Sequence, residues 1–364
     1  MKIVYVTPRY RPYRGGIERA VEEVAVRLSA RGYKVLVVTT DPSGRLPRRE
    51  VLEGVEVRRL RSIAPGDSYY LSLGLYRELE RSGGDILHAH SFHALPSLVA
   101  ARAKGSRRLV VSPHYHGHAH TPFRETLFQV YKRTALKTIV SASDRILCVS
   151  EYERMLVQRD FPESAPKTLV IPNGINMERL RGVKWHPRAD GLKILYVGRI
   201  EAYKNLDKAI EAVRVLRERG WDVRLTIVGR GPHKPQLRRM AERIGVDELI
   251  EWKEDLTEEE LYEEYSSSKV FLLLSTDEAF GIAAVEAMTI GLPTVLARAA
   301  ALSTYVEEGL ALGVDPPFDP EAVADRILEA SSGWTPDKRR IQHRFLSWDE
   351  VVDRLEEVYQ TLRG

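Results

Sequence analysis

Two carboxylates stand eight residues apart in Glu278-Ala-Phe280-Gly281-Ile-Ala-Ala-Val-Glu286. The first is expected on a loop after an apolar strand, Val270–Leu274, and the second inside the helix that follows. Carboxylates at such an edge accept hydrogen bonds from sugar or ribose hydroxyls, and the helix N-terminus near Gly281 offers free backbone N–H groups to an anion. A second group, Val197-Gly198-Arg199-Ile-Glu-Ala-Tyr-Lys204-Asn205, also follows a strand and opens a helix. Gly198 permits close backbone approach, Arg199 grips two phosphate oxygens with its planar fork, and Lys204 adds a point charge. A departing diphosphate needs that neutralisation. The plainer readings are a turn glycine with a solvated carboxylate, and an ordinary surface pair of cations.

Gly15-Gly16 ahead of the first helix suits a phosphate-facing turn, although the full spacing of a dinucleotide site is missing. Seven of the ten histidines lie between His88 and His120: His88, His90 and His93, then His114, His116, His118 and His120. Alternate residues of a strand face one way, so these side chains are candidates for a metal site. Gly117 interrupts a regular strand, however, and Asp85 and Glu125 only flank the groups. Contacts to substrate hydroxyls by one or two of the histidines are the other reading.

These residues need elements to hold them. Ile3–Val6, the helical spacing of Val21, Val24, Ala25 and Leu28, a stop at Gly32 and the run Val35–Val38 form a strand–helix–strand unit. Short apolar runs at 86–88, 109–112, 146–149 and 169–171 continue the pattern. After the turn-rich stretch from Pro172 to Gly191 it restarts: strand 194–197, helix 206–219, strand 225–228, helix 236–244, and a helix opened by the capping box Thr257-x-x-Glu260. Strand 270–274, helix 282–290 and strand 294–297 follow. The alternation predicts an α/β chain with two Rossmann-like, doubly wound parallel-sheet domains, over residues 1–180 and 191–345. A final helical segment, 346–364, carries apolar Val351, Val352, Leu355, Val358 and Leu362.

Of the 364 residues 43% are hydrophobic and 29% charged, which excludes wholesale disorder. The single cysteine, Cys148, forms no internal disulfide. With no long apolar run, a cytoplasmic setting is expected. Charge divides unevenly. Residues 1–190 hold 32 Lys and Arg against 19 Asp and Glu, a net of +13, and the remainder is net −9. Arginines 9, 11, 14, 45, 48, 49, 58, 59 and 61 supply much of the first figure, and Phe123–Val140 combines Arg124, Lys132, Arg133 and Lys137 with apolar residues. An anionic membrane surface or an acidic acceptor is the expected partner. No nucleic-acid motif is present.

Taken in order, Gly15-Gly16, Asp85-Ile-Leu-His88-Ala-His90, Ser112-Pro-His114, Val149-Ser-Glu-Tyr-Glu-Arg154, Ile171-Pro-Asn-Gly-Ile175, Val197-Gly-Arg199 with Lys204, Ile227-Val-Gly-Arg-Gly-Pro232 and Glu278-x-Phe-Gly through Glu286 resemble retaining glycosyltransferases of family 4. The resemblance covers about residues 2–362 and implies the GT-B fold, two domains facing a central cleft with the last helix crossing back to the first. It implies a nucleotide-sugar donor in the second domain, with Arg199 and Lys204 on the diphosphate, Glu286 on the ribose, Glu278 on the transferred sugar, and Phe280 and Gly281 beside it. Gly15-Gly16 would approach the same diphosphate. The family's cleft histidine falls on His114 or, two residues on, His116; with His88 and His90 these are the expected acceptor contacts. Family members need no metal or cofactor for the transfer, and front-side attack assisted by the leaving phosphate is their favoured mechanism. Two departures stand out: Arg298–Glu308 lacks the family's glycine-rich turn and Pro-Glu pair, and Arg230 stands where an acidic residue is common.

Two rival functions remain open on the residues alone. One is a histidine-ligated zinc hydrolase on a Rossmann-like scaffold. The other is a GT-B enzyme of another reaction type, such as a sugar-nucleotide epimerase or a phosphorylase.

Overall fold

A computed structural model describes residues 1–65, 68–117, 122–187, 190–334 and 337–363, with backbone alone at 122–124, 127, 338 and 342. The chain forms two compact units, Met1–Gly174 with Ser347–Gly364, and Ile175–Leu346.

The first unit is built on strands β1 (Lys2–Thr7), β2 (Lys34–Asp41), β3 (Arg49–Leu52), β4 (Val55–Arg61), β5 (Ile86–His90), β6 (Arg108–Ser112), β7 (Arg145–Cys148) and β8 (Thr168–Val170). Their order across the sheet is β3-β4-β2-β1-β5-β6-β7-β8. Every pairing is parallel except the edge hairpin β3–β4, which the alternation of the sequence did not reveal. The strands read as near-continuous apolar runs because helices cover both faces. Val4, Val6, Leu36, Val38, Leu87, Ala89, Leu109 and Val111 turn to one face and join a core with Phe128, Leu136, Ile139 and Val140. Tyr5 and His88, register partners on β1 and β5, belong to the opposite face.

That opposite face is closed by the helices Gly16–Ala30 and Trp348–Arg363, which pack on one another. The last helix buries Trp348, Val351, Val352, Leu355, Tyr359 and Leu362. Tyr359 takes the place expected of Val358, which is half-buried. Polar contacts fix the helix as well. Arg31 bonds Asp353 and Glu356, each at 2.6 Å, and Tyr5 and Tyr359 share a hydroxyl hydrogen bond of 2.8 Å.

The second unit orders its strands β11-β10-β9-β12-β13-β14, all parallel: β9 (Leu192–Val197), β10 (Val223–Val228), β11 (Ile250–Lys253), β12 (Val270–Leu273), β13 (Thr294–Ala297) and β14 (Leu312–Val314). Helix Met177–Gly182 belongs here and not before the break expected at 180, because buried Met177 and Leu180 bring it against helix Ile282–Ile290. The Thr257–Glu260 capping box forms with both its hydrogen bonds. β9 and β12 are neighbours, with Val270 opposite Ile194, so the loops leaving their carboxyl ends emerge side by side. This adjacency positions the site.

Candidate functional site

In the second unit the two chemical groups read from the sequence meet. Lys204, buried to 7% exposure, extends its ammonium to the carboxylate of Glu278 and over the Tyr203 ring, 4.8 Å from the centroid. Loop-to-loop hydrogen bonds hold the approach: the Asn205 amide donates to Leu274 O at 2.8 Å, and the Thr276 N–H to Tyr203 O at 3.1 Å. Arg199 stays half-exposed and donates to the Tyr203 hydroxyl at 3.0 Å. The glycines beside it answer a packing demand. A Cβ on Gly229 would lie 1.9 Å from Gly198 O, and one on Gly231 would lie 2.1 Å from Ile200 O. Only bare backbone lets the 198–200 and 229–231 segments run flush, with Ile200 N–H bonded to Arg230 O at 2.8 Å.

Gly281 caps helix Ile282–Ile290 in the left-handed region (φ 81°), with no side-chain cap hydrogen bond. Phe280 is buried, its carbonyl accepting from the Tyr305 hydroxyl at 2.8 Å. Glu286 is 1% exposed and accepts from the Tyr265 hydroxyl at 3.2 Å. An apolar helix thus carries one buried carboxylate behind a glycine-capped amino terminus, with Arg199 and Lys204 on the loop after the neighbouring strand. The ensemble is suited to an anionic, hydroxyl-bearing ligand.

In the first unit Gly15 caps helix Gly16–Ala30, and a Cβ there would lie 2.4 Å from the Glu18 carboxylate, which pairs with Arg9 at 2.8 Å. Gly16 faces open space. The histidines do not assemble as a convergent metal site. His88, His90 and His114 stack in series, with ring centroids 4.5 and 5.4 Å apart, and His90 Nδ1 lies 3.2 Å from His114 Nε2. Rings stacked face to face do not converge on one point. Among the described residues no group of three His, Cys, Asp or Glu side chains is arranged to hold a metal ion. His88 is 2% exposed and both its nitrogens are engaged, Nδ1 with the Tyr359 hydroxyl (2.6 Å) and Nε2 with Ser112 Oγ (2.9 Å). Its ring braces the last helix and has no nitrogen left for an acceptor. His90 is also buried. His93, His114 (φ 45°) and His116 are partly exposed. His118 and His120 lie outside the described residues.

Burial pushes both His88 and His114 down to about 3, helped by His114 on the first and His116 on the second, and holds His90 well below the usual imidazole range. The stack is neutral at physiological pH. Sequence reasoning missed Glu153, the residue that anchors this loop. Fully buried, its carboxylate accepts from the Tyr115 N–H at 2.6 Å and the Val149 N–H at 2.7 Å. Burial raises its pKa to about 7 despite those two donors. The one available signal was a glutamate three residues after the helix-capping Ser150, at the end of a β-run.

Two expectations about the basic surface change. Arg59 is buried and pairs with Glu50; Arg58 is held by Glu56 and Glu78, and Arg11 by Glu22 and Glu53. The stretch 123–140 turns Phe128, Leu136, Ile139 and Val140 into the core and pairs Lys132 with Asp160 at 2.5 Å, while Val130, Arg133 and Lys137 stay exposed on its other face. The side chains of Phe123, Arg124 and Leu127 are outside the description. Among the described residues no helix is long and apolar enough to cross a membrane.

Two parallel-sheet units, the last helix packed on the first of them, and an anion-ready carboxyl edge in the second define a GT-B glycosyltransferase. Residues 14–179 match the family model Glycosyltransferase Family 4, and residues 183–344 match Glycosyl transferases group 1; the chain belongs to this family. A GDP-mannose:cellobiosyl-diphosphopolyprenol alpha-mannosyltransferase of Xanthomonas campestris is 29% identical over 306 residues, 81% of this chain and 78% of that one. A D-inositol 3-phosphate glycosyltransferase of Thermomonospora curvata is 26% identical, covering 95% of this chain and 90% of its own. Among solved structures, sucrose-phosphate synthase from Thermosynechococcus elongatus superposes with a TM-score of 0.79 at 21% identity, covering 99% and 98% of the two chains. Anabaena HepE in complex with UDP-glucose does so at 0.77 and 18%, covering 99% and 100%.

Proposed function

We propose that this glycosyltransferase moves a hexose from a nucleoside-diphosphate sugar to an acceptor hydroxyl, retaining anomeric configuration and requiring no metal. The contact between Lys204 and Glu278, made at the carboxyl edge beside Arg199 and the glycine-capped helix at Gly281, carries this reading. In it Arg199 and Lys204 bind the diphosphate with the Gly281 backbone, Glu286 takes the ribose hydroxyls, and Glu278 the transferred sugar. Lys204 arrives pre-positioned by Glu278 and meets the charge that builds on the departing phosphate, the interaction that lowers the barrier most. The C1–oxygen bond to the diphosphate breaks while the acceptor oxygen bonds C1 from the same face. The acceptor proton passes to the departing phosphate oxygen. Neutral His114 offers hydrogen bonds to sugar or acceptor hydroxyls, with His116 nearby.

GDP-mannose in the name of one relative and UDP-glucose bound in one similar structure support a nucleotide-sugar donor, and the lipid-diphosphate and inositol-phosphate names of two relatives support an acceptor that itself carries phosphate. Cytoplasmic placement with attachment to a membrane face fits such an acceptor. The test follows nucleotide release from UDP-, GDP- and ADP-sugars with candidate acceptors in the presence of EDTA, and reads the product anomer by NMR. Acceptor-independent release, chelator-sensitive turnover or an inverted anomer would each overturn its part of the reading.

A further inference from the structure

The strongest concentration of exposed apolar side chains lies on the first unit, just beyond β4. Ile63 is 71% exposed, Leu71 48%, Leu73 92% and Tyr76 43%. Ile63 and Leu71 form an antiparallel bridge, each N–H donating to the other's carbonyl at 2.9 Å, so their side chains stand together. Leu73 follows two residues on, immediately before the helix Leu75–Ser82. A patch of this kind on a folded surface marks an interaction site, where single exposed residues would not.

Its rim is basic. Arg45, Arg48, Arg49, Arg61 and Arg77 are exposed, and none of them has a carboxylate partner among the described residues. Arg49 lies opposite Arg58 on the edge hairpin, and the Arg61 side chain lies against Gly44, which brings Arg45, Arg48, Arg49 and Arg61 together at the carboxyl end of β4. Four nearby acids pair with other arginines, Glu50 with Arg59, Glu53 with Arg11, and Glu56 and Glu78 with Arg58, and exposed Glu80 bonds the Tyr76 hydroxyl. The region therefore presents net positive charge around an apolar tip.

We propose that this patch docks the protein on an anionic lipid leaflet, with Ile63, Leu71 and Leu73 entering the headgroup–acyl boundary and the arginines meeting lipid phosphates. Charge complementarity selects the lipid over a second copy of the chain, since two copies joined by this face would bring their arginines together. The proposal rests on the surface alone and stands or falls apart from the transfer reaction.

Flotation of the full chain with vesicles tests it. Wild type should float with phosphatidylcholine mixed with phosphatidylglycerol, less so as salt rises, and not with phosphatidylcholine alone. Ile63→Asp with Leu73→Asp should weaken partitioning by at least about tenfold, and each of Arg45→Gln and Arg61→Gln by about fivefold. Trp221→Asp, altering an exposed hydrophobic of the second unit (48% exposed), should float as wild type does. All these positions are on the surface, and circular dichroism confirms that the variants fold. Absence of wild-type flotation, equal flotation on neutral vesicles, or variants that float unchanged would overturn the proposal. So would a dimer in sedimentation that the Asp variants dissolve while vesicle binding stays absent.

Discussion

The ammonium of Lys204 rests against the carboxylate of Glu278, joining the loops that leave two adjacent parallel strands. Each residue holds the other at the edge of the sheet. Lys204→Ala should lower kcat/KM for the nucleotide-sugar by about 10²-fold or more, the usual cost of removing one group that meets developing charge. Glu278→Gln should lower kcat more than it raises the donor KM. Acceptor-dependent nucleotide release measures both, and near-normal turnover in either variant would remove the residue from the mechanism.

Gly231→Ala tests the backbone packing under Arg199. Its Cβ would arrive 2.1 Å from Ile200 O, and the clash is with backbone, so the 198–200 segment must shift. The expected outcome is a donor KM raised by about tenfold with a lowered melting temperature, since small misplacements of binding groups are costly. Isothermal titration with the nucleoside diphosphate reads the binding part directly.

Tyr359→Phe removes the hydroxyl shared by Tyr5 and His88. Two buried polar atoms then lose a partner, which costs about 1–3 kcal/mol. Denaturant unfolding should report that loss, and hydrogen exchange should quicken in Trp348–Arg363. An unchanged midpoint would show that the network adds nothing to the hold on the last helix.

The histidine stack gives the protein an acid sensitivity of known sign. His88 has a folded pKa of about 3 against an ordinary value of 6.5. Between those values the unfolded chain binds the extra proton, so stability is full above pH 6.5 and falls as pH drops toward 3. At pH 5 the loss from His88 alone is about 2 kcal/mol. His90 and His114 shift in the same direction. Denaturant midpoints at pH 7 and 5 measure the fall, and a flat profile would contradict the burial.

Glu153→Ala strips the acceptor from the Tyr115 and Val149 N–H groups. A loss of about 2–4 kcal/mol is expected from two orphaned buried donors. Glu153→Gln should recover part of it, because an amide offers one oxygen where the carboxylate offers two. Urea unfolding of the three proteins settles the order.

The sequence alone determined a good deal. Strand–helix alternation follows from local apolar periodicity, and it is visible for most of the strands and for the Thr257 capping box. The residues of the second unit's carboxyl edge were legible because a doubly wound sheet puts every loop after a strand on one side. Tertiary structure decided the rest. That Lys204 meets Glu278 depends on β9 lying next to β12, a pairing no local pattern contains. The histidines invited a metal or substrate reading until stacking and the contact with Tyr359, far along the chain, made His88 an internal brace. Arg59 and Phe128 looked like surface until Glu50 and the core claimed them. Glu153 showed only its place three residues after Ser150; its partners, the Tyr115 and Val149 N–H groups, are brought to it by the fold. Local spacing fixes which face a side chain takes on its own element; what covers that face is set by long-range packing, and there burial and partnership are decided.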